Sequence, residues 1–111
     1  MAITISTKKP TELLLNICSA IREREITTWS VDEAGDFTYS PPQWRNLAWL
    51  QPKVVNGDLI FTIVPPSKKT ISPEIYAAYH GRFTEMLLSL FDSGFSKAYA
   101  SARPEKGDSV G

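Results

Sequence analysis

His80 is the only histidine and Cys18 the only cysteine among 111 residues. An imidazole can act as a general base, but it needs a nucleophile and an orienting partner. No local motif around His80 supplies either. Cys18 and His80 alone cannot complete a tetrahedral metal site. No nearby histidine or basic residue marks Cys18 as an activated thiolate, so it reads as a small apolar residue at a core edge. There is no glycine-rich phosphate loop after a strand, no G-x-S-x-G elbow, no H-E-x-x-H and no paired-cysteine motif. The acidic turn Asp32–Asp36 lacks the spaced oxygen ligands and distal Glu of a calcium loop. No catalytic residue, metal ligand or cofactor is assigned.

Residues suited to binding are more evident. Three tryptophans stand in the chain, two of them in Trp44-Arg45-Asn46-Leu47-Ala48-Trp49. Tryptophan pairs a broad apolar face with one N–H donor, and a neighbouring guanidinium adds a planar cation. Trp44 and Arg45, with His80 and Arg82 from a later helix, form a candidate small-molecule site; Trp29 and Trp49 read as core. Gly81 lies inside that helix, where glycine costs about 1 kcal/mol relative to alanine. Ala77, Gly81, Thr84 and Leu88 repeat at a 4-3-4 spacing, away from the main apolar arc of Ile75, Tyr79, Phe83, Met86, Leu87 and Leu90. Such a seam allows a close approach: the first helix of the same chain, a second copy in a homodimer, or a ligand against the backbone. Arg82 and Glu85 are three apart on the polar side and read as a weak solvated pair.

Composition narrows the function classes. Lys plus Arg and Asp plus Glu are both 12, and the charges balance within each half of the chain. Nucleic-acid binding driven by counterion release needs a surplus of basic groups, so it is disfavoured, as is a membrane-surface role. Leu13–Ile21 is interrupted by Asn16 and Ser19, and Glu12 and Arg22 flank it. That is an amphipathic helix rather than the apolar core of a leader. No run approaches the roughly 18 apolar residues of a membrane span. A single cysteine allows no intrachain disulfide, and a cytoplasmic location is expected.

The elements follow from periodicity and punctuation. Residues 1–9 alternate weakly at Ile3 and Ile5 and read as an edge strand or a frayed end. Pro10 opens a helix to about Arg24, with Leu13, Leu14, Ile17, Ala20 and Ile21 on one arc. Ile26–Val31 and Phe37–Tyr39 make a hairpin with Trp29, Val31, Phe37 and Tyr39 on one face. Ser40 reads as the cap of a single helical turn. Leu47–Val55 is extended, with Pro52 marking an edge, a bulge or a split. Asn56-Gly57 calls for a type I′ turn before the strand Leu59–Val64. Ser72, Pro73 and Glu74 start a second helix over about 73–93, with Gly94 as its left-handed cap and Phe95 folding back toward Leu90.

The expected fold is a two-layer α+β sandwich of order α-β-β-β-β-α, a four-stranded antiparallel meander with two helices on one face. Residues 1–100 form one domain and 101–111 a disordered polar tail. Thr28-Trp29-Ser30, Gly35-Asp36-Phe37-Thr38, Gln43-Trp44, Ala48-Trp49, Tyr79-His80-Gly81-Arg82-Phe83 and Glu85-Met86-Leu87 resemble a small family of uncharacterised bacterial proteins, over about 26–92. That resemblance implies a free-standing bacterial cytoplasmic domain and carries no activity or site residue. The functional expectation is a non-enzymatic binding or protein-interaction domain, a homodimer or a partner of another protein. The alternative is a small-molecule site or enzyme between the Trp44 segment and His80.

Overall fold

The computed structural model describes residues 3–66 and 69–102. In chain order these form β1 (Ile3–Ser6), α1 (Pro10–Arg22), β2 (Trp29–Val31), β3 (Phe37–Tyr39), β4 (Trp49–Val55), β5 (Asp58–Val64), α2 (Pro73–Leu90), a single 3₁₀ turn (Asp92–Gly94) and β6 (Lys97–Ala100). The α+β class read from the sequence holds. Among the described residues no helix is long and apolar enough to cross a membrane. Beyond residue 102 the expected tail lies outside the described residues.

The sheet corrects the expectation of four strands. It has six, in the order β2-β3-β4-β5-β1-β6, and every neighbouring pair is antiparallel. The expected meander is its β2–β5 part. β1, read as an edge or a frayed end, is internal: Ile3 pairs with Phe61 on one side and Ala100 on the other. Alternating strand directions make β1 parallel to β2 and β5 parallel to β6. Each parallel pair is joined by a helix crossover, which strand twist favours in the right-handed sense. The two crossovers travel in opposite directions from oppositely directed strands, so two right-handed ones put both helices on one face. Both helices bury side chains in one core cluster.

Register places the apolar residues on that face. Ile3 and Ile5 align with Phe61 and Leu59, Leu50 aligns with Ile63, and all six are fully buried. From α2, Phe83 meets rings of three strands: Trp29 at 5.0 Å, Phe37 at 5.7 Å and Phe61 at 4.6 Å between centroids. The first hairpin shares its face as expected, with Trp29 and Tyr39 at 5.1 Å. Asn56 (φ 50°) and Gly57 (φ 84°) hold the positive dihedrals that the I′ turn requires. β4 runs unbroken through Pro52. β3 pairs with β4 only at Phe37 opposite Leu50, so beyond that point β4 borders β5 alone and a proline is tolerated.

Three local readings change. Ser40 caps no helix: its hydroxyl lies 2.6 Å from that of Ser30, and Pro41 O instead accepts the N–H groups of Trp44 (2.8 Å) and Arg45 (2.9 Å). α2 ends at Leu90, and Phe91 N–H closes it on Leu87 O at 2.9 Å. Gly94 is not in the left-handed region. A Cβ there would make a tight contact, 3.2 Å from Leu13 Cδ1 on α1.

Because β1 is internal, Ile5→Ala should lower stability by about 2–4 kcal/mol, the cost of a core cavity. Urea unfolding checks this; a frayed end would show almost no change.

Candidate functional site

α2 places its predicted site residues by helical phase, at about 100° per residue. Tyr79 and Phe83 face the sheet and are fully buried, and His80 is buried beside them at 5% exposure. His80 Nδ1–H donates to Tyr76 O at 2.6 Å, and its ring stacks on Tyr76 at 3.8 Å. The Tyr76 hydroxyl in turn donates to Ser101 O at 3.1 Å, just past β6. His80 thus sits in the seam between α2 and the end of β6. Arg82 is exposed and faces both carboxylate oxygens of Glu85 at 3.4 Å, the solvated pair expected.

Trp44 and His80 are linked only through the backbone next door. The Tyr79 hydroxyl donates to Trp44 O, and the Trp44 side chain is half-buried against the core. Tyr79 reaches this carbonyl because β3 and β4 part after one pair, leaving a gap in the sheet. In the gap Thr38 Oγ1 lies 3.0 Å from the Tyr79 oxygen, donates to Ala48 O at 2.9 Å and accepts Asn46 N–H at 3.1 Å. Two buried hydroxyls thereby fix the 41–48 loop at three backbone points. Neither of the two main clefts is lined by Trp44, His80 or Arg82.

Arg45 lines the smaller of these two clefts. That cleft, about 440 Å³, lies on the sheet face away from the helices, with Ser30, Val31, Asp32, Thr38, Asn46 and Trp49. Trp49 pairs with Val64, one residue out of phase with the buried pair Leu50–Ile63. It is therefore half-buried on the open face rather than in the core. The sequence held this signal, since the Asn56-Gly57 turn fixes the register and hence the parity of β4. A larger groove, about 800 Å³, lies between the start of α1 and the end of α2. Leu13, Leu90, Phe91 and Phe95 contribute apolar surface there, and Lys8, Lys9, Glu12 and Asp58 are its charged residues. Leu90 shares the phase of Phe83 yet is 56% exposed, because the groove leaves it uncovered.

Among the described residues two side chains, Cys18 and Asp36, have clearly shifted titration. Burial pushes the Cys18 thiol up, and Arg22, one turn further on, offsets this only in part. That basic neighbour was overlooked in the sequence, but burial outweighs it. Burial also raises the Asp36 carboxyl; the charge of Asp32 adds to this and a side-chain hydrogen bond with Gln51 opposes it. Among the described residues no three His, Cys, Asp or Glu side chains converge to hold a metal.

The seam residues Ala77, Gly81 and Leu88 are exposed and Thr84 half-buried. A Cβ on Gly81 would meet nothing within 4 Å. The first helix therefore does not fill this seam.

Tyr79→Phe should destabilise the fold by about 1–3 kcal/mol, since Trp44 O loses a buried donor, and should speed amide exchange across residues 44–48. Asp36 disfavours its charged form in the fold, so it subtracts stability above its raised pKa and the loss disappears as pH falls through that value. Asp36→Asn should accordingly raise the urea midpoint at pH 7, with the gain shrinking in acid. Against known proteins, no family model matches the chain, and neither a curated protein nor a solved structure shows significant similarity to it.

Proposed function

We propose that the protein is a non-enzymatic interaction domain that docks a second copy of itself through the outward face of α2. One observation carries the reading: Gly81 sits mid-helix with open space where its side chain would be, beside Leu88 at 55% exposure. A helical glycine costs about 1 kcal/mol relative to alanine, and among the described residues no neighbour within 4 Å requires the missing Cβ. The spacing is self-complementary. Take two α2 helices, antiparallel about a two-fold axis midway between residues 82 and 83. Ala77 of one then lies level with Leu88 of the other, and Gly81 with Thr84. Each large residue faces a small one, as an isologous contact requires, and the absent Cβ lets the backbones approach.

Sedimentation equilibrium tests the reading. The wild type should dimerise, while Gly81→Leu and Leu88→Glu should be monomers with unchanged circular dichroism. Gly81→Ala should make the monomer more stable by about 0.5–1 kcal/mol. A wild-type protein monomeric up to about 1 mM, or a dimer that survives both substitutions, overturns it.

A further inference from the structure

The open-face cleft lies apart from the outward face of α2, and its chemistry is different. Four observations bear on what it takes. Trp49 supplies a half-buried indole on a face that no helix covers. Arg45 is exposed and makes no ion pair among the described residues. Asp32 Oδ1 accepts the N–H groups of Ala34 at 3.0 Å and Asp36 at 2.9 Å, which orients the carboxylate and leaves its other oxygen uncommitted among the described residues. The loop that carries Arg45 and Asn46 is pinned to Thr38 and Tyr79, so the wall is formed in advance.

We infer that this cleft is a carbohydrate site that takes a neutral sugar ring against Trp49, between Arg45 and Asp32. A pyranose has an apolar C–H face, which suits an indole, and an edge of hydroxyls that both donate and accept. Arg45 offers only donors and the Asp32 side-chain oxygens offer acceptors, and a hydroxylated edge satisfies both. An anionic ligand would meet the Asp32 carboxylate, and a cationic one the Arg45 guanidinium. The cleft's volume, about 440 Å³, is in the range of a small-ligand site.

NMR titration of the full chain tests this with the methyl glycosides of glucose, galactose, mannose and N-acetylglucosamine. At least one should shift the Trp49 indole N–H and Arg45 Nε–H resonances saturably below about 100 mM, the range of single-ring affinities, while the Trp29 indole stays still. Arg45→Ala and Asp32→Asn change exposed side chains and should leave the fold intact, so they test the site even if Trp49→Ala misfolds. Each should weaken binding about tenfold, the worth of a hydrogen bond to a charged group. Four glycosides without a saturable shift overturn the inference, as does a shift that persists undiminished in both variants.

Discussion

The hydroxyls of Thr38 and Tyr79 meet in a gap where the sheet should be continuous, and much of the molecule is positioned by that meeting. β3 and β4 share a single residue pair, so the backbone between them lacks the ladder that would satisfy it. Buried polar backbone left unpaired is expensive. Two side-chain oxygens take over, engaging Trp44, Asn46 and Ala48. The same contact sets the rotation of α2. With Tyr79 turned into the gap, Phe83 falls among Trp29, Phe37 and Phe61, and Gly81 and Leu88 must turn outward. It also holds the loop that lifts Arg45 beside Trp49. The core, the outward helix face and the open-face cleft share one anchor.

What could be read from the sequence was what short-range chemistry decides. The Asn56-Gly57 turn needs only two backbone conformations, and it appears where expected. Ser72 and Pro73 start α2 because the cap is a local bond: Ser72 Oγ accepts Ile75 N–H at 3.2 Å. β1 and β6 were not legible in this way. Four residues of weak alternation at Ile3 and Ile5 carry no information about two flanking strands, one of which lies more than 90 residues away. Gly94 shows the same limit. Its spacing suits a helix cap, but it is not left-handed, and what lies nearest to it is Leu13 from another helix.

The candidate site divides along the same line. Arg45 was legible as an exposed loop arginine next to tryptophan, because that is a local fact. The tryptophan that shares its cleft is Trp49 and not Trp44, because strand parity turns Trp49 outward while Trp44 rests on the core. His80 and Arg82 share a helix with the seam but no cleft with Arg45. Gly81 was the most informative single residue, because its helical cost is intrinsic and asks for a reason wherever the chain folds.

The placement of β1 has a kinetic consequence. Its two neighbours, β5 and β6, come from the distal half of the chain, and Thr7 Oγ1 donates to Gly94 O across 87 residues. The β2–β5 meander can zip through short hairpins in microseconds, whereas closing a loop of that span carries a large entropy cost before any contact repays it. The apolar face of β1 is enclosed only after β5 and β6 have reached it. The long-range pairing of β1 is therefore the slow step, after the local hairpins have formed.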